Sequence, residues 1–244
     1  MQKNISLHIE EDYKGLSTLA ANIFAQAVHS MPKGVYGFAT GGTPEGMYKE
    51  LVEMVKVGNL DMSQITAFNL DEYVPILPDN TQSYSYYMAT KLFDAVGVTN
   101  RNIPSGNALD NSHECIMYEK KIADCGGIDL QILGIGTNGH IGFNEPSDIF
   151  SCDTGYVELT QSTIDANARF FENSEQVPKH AISMGMKTIM MAEKLMLLAS
   201  GESKAKILHD ALTGPITPKV PASVLQLHRN VIVIADKAAA TYFK

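Results

Sequence analysis

The chain has 244 residues and a formal net charge of −8 at pH 7, with 45% hydrophobic and 19% charged residues. This composition is ordinary for a globular protein that buries a full core, and it fits one α/β domain at least as well as two small ones. The negative charge argues against a nucleic acid or an anionic membrane as the partner. An anionic ligand would therefore need a few local cations and backbone N–H groups.

The cysteines and the apolar runs bear on the compartment. Three cysteines are present, and none forms a Cys-x-x-Cys pair, which is typical of a protein in a reducing cytoplasm. The first residues are polar and acidic, unlike a secretory signal. An apolar run near residue 190 is interrupted by Glu193 and Lys194, too soon to span a bilayer. We expect a cytoplasmic protein that does not enter a membrane.

Short apolar runs alternate along the chain with longer amphipathic ones. The predicted strands are residues 35–39, 65–70, 129–133, 181–184, 195–199 and 231–235. The predicted helices are residues 16–29, 45–55, 83–93, 113–123, 202–212 and 222–228. Strands separated by helices of this length predict βαβ crossovers and a parallel sheet covered on both faces. With no repeat or linker, residues 1–244 are expected to form a single α/β domain with a mostly parallel sheet.

Two regions have weak periodicity, residues 100–110 and about 147–178. Long irregular segments in a compact domain are often lids or binding loops, and we predict a lid at about 147–178. In open α/β sheets, ligands bind outside the carboxyl ends of the strands. Four loops that leave predicted strands carry unusual residues there.

The first loop is FATGGTPEG, residues 38–46, where two glycines follow a strand. Thr43 followed by Pro44 predicts a helix N-cap with proline at the first helical position. A glycine-lined turn into a helix N-terminus offers backbone N–H groups to an anion, although an ordinary βα turn has the same pattern. Neither nucleotide-binding glycine motif is present. The candidate anion-binding residues are Thr40, Gly41, Gly42 and Thr43.

The second loop is FNLDEYVP, residues 68–75, in which Asp71 and Glu72 follow a buried-looking strand. Neighbouring side chains point in different directions, so only one of the two carboxylates is expected to reach a pocket. A carboxylate at a strand's carboxyl end is well placed to abstract a proton from a carbon acid. The alternative is a helix cap or a solvated turn.

The third loop is GIGTNGHIGFNEP, residues 134–146, which places glycines around His140, with Asn138 and Glu145 close in sequence. A histidine titrates near neutrality and can transfer a proton to or from a substrate oxygen. A carboxylate on its other nitrogen would fix the tautomer and raise the basicity. The alternative is a structural histidine. No serine nucleophile motif occurs, so acyl transfer is not predicted. A metal site is a further alternative, although no His-x-His or His-Glu-x-x-His spacing supports it.

The fourth feature is a pair of cations beside small residues, Arg169 in ANARFF and Lys204 in SGESKAK. Either one can be read as a solvated surface charge. Lys204 lies in the first turn of a predicted helix, where a cation opposes the helix dipole by about 0.3–1 kcal/mol. An anion such as phosphate would compensate.

These motifs together resemble one enzyme family. TGGTP, LDEY, GIGxNGHIGFNEP, ANARFF and SGxSKA occur between residues 40 and 204 in the order and spacing of the glucosamine-6-phosphate deaminases, and LQLH at 225–228 extends the match. The resemblance implies conversion of D-glucosamine 6-phosphate and water into D-fructose 6-phosphate and ammonia, in amino-sugar catabolism. It also implies a Rossmann-like three-layer α/β/α sandwich and no cofactor or metal.

The resemblance also implies roles for single residues. Asp71 corresponds to the base that moves a proton between C2 and C1, and His140 to the group that opens the sugar ring, with Glu145 as its carboxylate partner. Asn138 stands where many members have aspartate; it can still hydrogen-bond, so we assign it a supporting role in ring opening. The residues that match substrate and phosphate contacts are Thr40, Gly41, Gly42, Thr43, Arg169 and Lys204.

One departure from the family concerns regulation. Allosteric members carry Arg-x-Lys after the Glu-Pro, where this chain has Gly155-Tyr156-Val157, and residues 147–158 contain three acids and no lysine or arginine. Net repulsion of an anionic effector is expected there. We predict hyperbolic kinetics without activation by N-acetylglucosamine 6-phosphate, and a monomer or weak homo-oligomer. Asp153 replaces a common arginine, and the sequence offers no reason for it.

Two other functions fit the same sequence pattern in part. A 6-phosphogluconolactonase shares the expected fold and a glycine-rich histidine loop, but normally lacks the FNEP continuation and the TGGTP turn. A non-catalytic sugar-phosphate sensor would lack Asp71 or His140, and both are present.

Overall fold

The strands form one large and one small sheet. The computed structural model describes residues 4–168, 171 and 176–243. In chain order the strands are β1 (Ile5–Glu10), β2 (Val35–Phe38), β3 (Thr66–Asn69), β4 (Asp71–Val74), β5 (Asn100–Asn102), β6 (Leu130–Gly134), β7 (Gly155–Glu158), β8 (His180–Ser183), β9 (Lys194–Ala199) and β10 (Val231–Asp236). Seven of them make a fully parallel sheet in the order β1-β10-β9-β6-β2-β3-β5.

Helices flank this sheet. They are α1 (Tyr13–Ser30), α2 (Gly42–Lys56), α3 (Tyr84–Met88), α4 (Asp94–Val96), α5 (Asn111–Asp124), α6 (Gln161–Asn167), α7 (Met186–Met190) and α8 (Ala205–Thr213). A π-helical segment, Ala89–Phe93, joins α3 to α4, and Glu202–Lys204 and Pro221–Leu227 are 3₁₀ helices. The predicted mostly parallel α/β sandwich is confirmed, and the chain forms one domain.

Local sequence explains why these elements form. Helix α1 begins at Asp12, whose carboxylate accepts a hydrogen bond from the Gly15 N–H at 2.9 Å and so satisfies one of the free donors of the first turn. Its buried side chains recur every three to four residues, which is the period of a helix with one apolar face. These side chains are Leu16, Ser17, Ala20, Ala21, Phe24, Ala25 and Val28. The large sheet's central strands are almost wholly buried, as expected for a parallel sheet covered by helices.

The strand order locates the candidate site. From β2 the chain builds outward through β3 to β5, whereas β6 is added on the other side of β2 and is followed by β9 and β10. The order therefore reverses between β2 and β6, and a crevice opens at such a switch point. The four central strands, β3, β2, β6 and β9, are the ones whose exits carry the predicted functional residues.

One predicted strand belongs elsewhere. The run at 181–184 is β8, which lies between β4 and β7 in an antiparallel three-stranded sheet and not in the large parallel sheet. A short apolar run looks the same in either setting, because its partners are distant in sequence. In this small sheet, Asp71 lies opposite Ser183, which in turn lies opposite Gly155.

The predicted lid region, about 147–178, is only partly irregular. Residues 155–158 form β7, which is held in the small sheet, and helix α6 follows it. The sequence patterns missed both elements because each is short. They also missed β1, β4, β5 and α7. No helix within the described residues has both the length and the apolar character needed to cross a bilayer.

Candidate active site

The exit of β2 forms an open glycine turn. Helix α2 begins at Gly42, and Gly41 is its N-cap, so the predicted N-cap role of Thr43 is wrong. Gly41 has φ of 107°, a left-handed value that side chains disfavour, which explains why the cap is glycine. A Cβ at Gly41 or Gly42 would meet nothing within 4 Å, so space remains beside the turn.

Tyrosine hydroxyls hold the carbonyl groups of this turn. The Tyr87 hydroxyl donates to the Gly41 carbonyl and the Tyr13 hydroxyl to the Gly42 carbonyl, each at 2.8 Å. The first N–H groups of a helix have no intrahelical acceptor, so those of α2 can serve an anion. No local sequence pattern pointed to these tyrosines, because they lie on α1 and α3.

Asp71 lies at the start of β4, directly after β3, and is 6% exposed. Burial, and secondly the nearby Glu72 carboxylate, raise the pKa of Asp71 to about 8. The loop after β6 comes close to this side chain: a Cβ built on Gly142 would lie 3.3 Å from Asp71 Oδ2. The exits of β3 and β6 therefore meet at this carboxyl group.

Glu72 points elsewhere and is 2% exposed. Its carboxylate accepts backbone hydrogen bonds from Tyr73, Tyr84 and Ser85, each at 2.9 Å. Burial raises the pKa of Glu72 to about 7, against the lowering effect of these three bonds. Of the two adjacent carboxylates, Asp71 faces the glycine loop, whereas Glu72 caps the helix that begins at Tyr84.

Tyr84 links two of the loops, and sequence reasoning missed it. Burial raises the pKa of its phenol well above the ordinary range, and the nearby Tyr73 and Asp71 raise it further, whereas Thr40 lowers it. Its ring is stacked on Phe143 of the β6 exit loop, with centroids 6.1 Å apart and planes 10° apart.

His140 lies in a tight loop after β6. The Gly136 N–H donates to the His140 carbonyl at 2.9 Å, and the Gly139 N–H to the Gly136 carbonyl at 3.0 Å. The imidazole packs directly on the Gly136 α-carbon, since a Cβ there would lie 2.4 Å from the ring. Only glycine permits this approach, which explains why the loop needs glycine at that position.

Glu145 is the centre of a polar cluster around this histidine. Its Oε2 accepts a 2.6 Å hydrogen bond from the Asn138 amide, and Asn138 Oδ1 accepts the His140 backbone N–H at 3.2 Å. Its Oε1 accepts from the Thr163 hydroxyl of α6 and lies 3.4 Å from His140 Nδ1. That separation exceeds a well-formed hydrogen bond, and the buried Nδ1 atom makes none with the described residues.

The same neighbours set the charge of Glu145. Burial alone would raise its pKa, but the imidazole and the hydrogen bonds from Thr163 and Asn138 outweigh burial and lower the pKa to about 2. Thr163 was missed by the sequence patterns because the helix that carries it was missed.

Of the two predicted cations, only Lys204 lies among the described residues. Lys204 lies at the exit of β9, in the 3₁₀ helix that leads into α8. The turn before it is held by Asp236, whose carboxylate accepts from the Ser200 hydroxyl at 2.5 Å and from the Gly201 N–H at 3.1 Å. Arg169 lies outside the described residues. Among the residues described, no group of three or more His, Cys, Asp or Glu side chains is placed to hold a metal ion.

Lysines from elsewhere balance the acidic segment after Glu145. Lys219 pairs with Asp148 at 2.6 Å, and Lys187 with Asp153 at 2.5 Å, which gives Asp153 a partner that the sequence did not predict. The repulsion expected from residues 147–158 alone is therefore smaller than predicted. A cavity of about 270 Å³ lies behind Glu145, lined mainly by apolar side chains, and neither Asp71 nor His140 lines it.

Known proteins are similar to this chain in sequence and in fold. The model of the family described as glucosamine-6-phosphate isomerases/6-phosphogluconolactonase matches residues 14–234. A glucosamine-6-phosphate deaminase of Clostridium perfringens (strain SM101 / Type A) is 48% identical over 98% of this chain and 99% of its own length. One of Alkaliphilus oremlandii (strain OhILAs) is 52% identical over 96% of this chain and 98% of its own.

Solved structures agree with the sequence comparison. The structure of a monomeric glucosamine-6-phosphate deaminase superposes with a TM-score of 0.94 at 42% identity, covering 97% of this chain and 99% of the other. A 6-phosphogluconolactonase from Trypanosoma cruzi has a TM-score of 0.78 at 18% identity, covering all of this chain and 98% of the other, and shares the fold alone. The chain therefore belongs to the glucosamine-6-phosphate isomerase/6-phosphogluconolactonase family.

Proposed function

We propose that this protein is a glucosamine-6-phosphate deaminase, which converts D-glucosamine 6-phosphate and water into D-fructose 6-phosphate and ammonia in amino-sugar catabolism. Relatives of that name match almost the whole chain. The observation that carries the proposal is the meeting, at the switch point of the sheet, of two unlike acid–base groups. Asp71 has a pKa raised to about 8, whereas Glu145 stays charged beside His140 because its pKa is lowered to about 2.

The first step in this proposal is ring opening by His140. The imidazole takes the proton of the anomeric hydroxyl and returns a proton to the ring oxygen as the bond between C1 and that oxygen breaks. Glu145 stays ionised at neutral pH and stabilises the imidazolium that forms between the two transfers. Asn138 holds the carboxylate in place from the other side.

The second step is proton transfer by Asp71. Its carboxylate removes the proton from C2 of the open-chain amino sugar and returns it to C1, while the amine gives up a proton and the C1 oxygen gains one, which leaves a hydroxyl at C1 and an imine at C2. Water adds to that carbon and ammonia leaves, giving the ketone. A carboxyl whose pKa is raised is a stronger base once ionised. The cationic amine of the substrate, attached to C2, favours the ionised form because opposite charges close together lower a carboxyl pKa.

The phosphate is assigned to the open turn at Thr40, Gly41, Gly42 and Thr43, to Lys204 and to Arg169. The unpaired N–H groups at the start of α2 support this assignment. Hydrogen bonds to charged groups contribute about 1.5–3 kcal/mol, so Lys204→Ala is expected to raise KM at least roughly tenfold. It should also abolish the preference for glucosamine 6-phosphate over glucosamine. A variant that kept this preference would place the phosphate elsewhere.

A coupled assay tests the reaction itself. The protein is incubated with glucosamine 6-phosphate, and fructose 6-phosphate is measured with phosphoglucose isomerase and glucose-6-phosphate dehydrogenase, in parallel with ammonia. Equal amounts of both products are expected. Hydrolysis of 6-phosphogluconolactone without formation of fructose 6-phosphate would instead assign the lactonase activity that shares the fold.

Regulation and assembly complete the proposal. We infer a monomer or weak homo-oligomer in the cytoplasm with hyperbolic kinetics, and a lid over the site at about 147–178. Similarity to a structure described as monomeric supports the first point. Initial rates with and without N-acetylglucosamine 6-phosphate, together with light scattering on a sizing column, test it. A hexamer whose sigmoidal curve becomes hyperbolic with that sugar phosphate would contradict it.

A further inference from the structure

The carboxylate of Glu72 fixes the start of a helix that is distant in sequence. It accepts the N–H groups of Tyr84 and Ser85, twelve and thirteen residues further along the chain, and that of Tyr73 next to it. Tyr84 and Ser85 open α3, where N–H groups have no intrahelical acceptor and where a negative charge is favourable. Three bonds to one buried carboxylate leave this turn little freedom.

The fixed turn carries Tyr84 into the candidate site. The phenol lies near Thr40 at the β2 exit and near Asp71 at the β3 exit, since both side chains affect its pKa. The ring stacks on Phe143 in the β6 exit loop. One carboxylate therefore controls the residue that touches three of the four strand exits.

We propose, on the basis of the deaminase function above, that Glu72 is a positioning residue that holds Tyr84 beside Thr40 and Phe143 and places a second ionisable carboxyl group next to Asp71. Of the described titratable groups, those that interact with Asp71 are Glu72 on its own strand, Tyr84 of α3 and Tyr118 of α5. Among these three, only Glu72 can be charged near neutral pH, where it is partly ionised because burial raises its pKa to about 7. Burial, and secondly the ionised form of Glu72, favour the protonated form of Asp71 until a cation, such as the substrate's amine, arrives.

A charge-removing variant and a matched control separate this role from simple helix capping. Glu72→Gln removes the charge and weakens the cap. Ser83→Ala loosens the same helix start without touching the charge, because the Ser83 hydroxyl is the N-cap that accepts the Tyr86 N–H at 2.9 Å. The carboxyl carbon of Asp71, labelled with ¹³C, is titrated by NMR in the unliganded protein, with Asp71→Asn to assign the signal.

The two variants are expected to differ. In Glu72→Gln the Asp71 titration should move down by roughly one pH unit, and the acid limb of kcat/KM should follow it. In Ser83→Ala the Asp71 midpoint should stay where it is. An unmoved midpoint in Glu72→Gln, or an equal shift in both variants, would overturn the proposal and leave Glu72 as a helix cap alone.

A second variant, Glu72→Asp, tests the proposal if Glu72→Gln does not fold. Glu72→Asp keeps the charge but withdraws it from the Tyr84 and Ser85 N–H groups. The Asp71 midpoint should then stay raised while KM for glucosamine 6-phosphate rises severalfold; an unchanged KM would overturn the positioning role. The NMR titration needs no substrate, so a protein without deaminase activity would refute the proposed function and still decide the question of Glu72.

Discussion

Asp71 and Glu145 are two carboxyl groups at neighbouring strand exits with opposite environments. Asp71 is buried beside another carboxylate, and its pKa is raised to about 8. Glu145 is also largely buried, yet an imidazole, an amide and a hydroxyl surround it and lower its pKa to about 2. Burial raises the pKa in both cases, so the hydrogen-bond donors and the sign of the nearest charge decide the outcome.

Two such environments let one crevice supply two kinds of chemistry. A carboxyl that titrates near neutrality can take up and release a proton, whereas one that is always ionised can only orient and stabilise a cation. The loop after β6 brings its own donor, Asn138, and receives another from α6. The exit of β3 brings only Glu72, whose carboxylate accepts hydrogen bonds from N–H groups of α3 and donates none to Asp71.

The largest expected effect comes from removing the proton-transfer carboxyl. Asp71→Asn should lower kcat by about 10⁴-fold, because the base that moves the proton between C2 and C1 is lost. Exchange of the C2 hydrogen with deuterated solvent, followed by NMR, should disappear while substrate binding stays near normal. Retained exchange in this variant would end the assignment of Asp71 as the base.

The same variant tests the raised pKa through stability. A carboxyl whose folded pKa lies above its ordinary value of 3.8 stabilises the fold below that value, and this contribution is lost as pH rises towards about 8. Asp71→Asn should therefore match the wild-type Tm near pH 4 and exceed it by several degrees at pH 8. Equal Tm values at both pH values would contradict the burial argument.

Removing the charge of Glu145 should have the next largest effect. Glu145→Gln should lower kcat by about 10²-fold, since the imidazolium of His140 loses its counter-charge. The loss should shrink with an open-chain substrate analogue that needs no ring opening. Equal losses with the closed and open forms would mean that Glu145 does not act through ring opening.

The stability of this variant should have the opposite pH dependence. Glu145 contributes stability above its ordinary pKa of 4.5, and that contribution is lost as pH falls towards about 2. The Tm of Glu145→Gln should lie below wild type at pH 7, and the difference should vanish near pH 2.

A smaller effect is expected when the histidine is displaced with all titratable groups intact. In Gly136→Ala the new methyl carbon would lie 2.4 Å from the imidazole, so the ring must move. Misplacing a catalytic group by a fraction of an ångström should lower kcat roughly tenfold. Gly134→Ala is the control, because a Cβ there meets nothing within 4 Å. Equal activity of both variants would show that the contact with Gly136 is dispensable.

The smallest effect should follow from removing one donor to Glu145. Thr163→Val keeps the shape of the side chain but deletes the hydroxyl that bonds Oε1, so the pKa of Glu145 should rise from about 2 by roughly one unit. Acid unfolding should then begin at a higher pH. Thr163→Ser should restore wild-type behaviour, and a serine variant as impaired as the valine variant would exclude the hydroxyl as the cause.

Much of the candidate site could be predicted from local sequence. The glycines after β2 and β6 mark turns where the backbone must bend or approach a ring, and such requirements are local. The alternation of apolar runs predicted the parallel sheet, and the rule of strand ends then selected the loops with Asp71, His140 and Lys204. Asn138, His140 and Glu145 lie within eight residues of each other, so one loop brings them together.

Other features depend on residues far apart in the chain. The sequence could not decide between Asp71 and Glu72, because the answer depends on N–H groups of α3. Nor could it predict that Thr163 hydrogen-bonds Glu145 or that Tyr84 lies near Thr40. The ion pairs of lysines with Asp148 and Asp153 were equally hidden. The partner strand of residues 181–184 was undetermined for the same reason.

Local sequence patterns predicted the alternation of strands and helices that makes the large sheet, the glycine turns and the residues that the strand exits present. Periodicity and turn chemistry act over a few neighbouring residues, so they are visible in the sequence. The folded structure was needed to show that the Asp71 carboxyl is buried with no hydrogen bond from the described residues, whereas donors surround that of Glu145. Burial and hydrogen bonding, which set those pKa values, come from segments that meet only when the chain has folded.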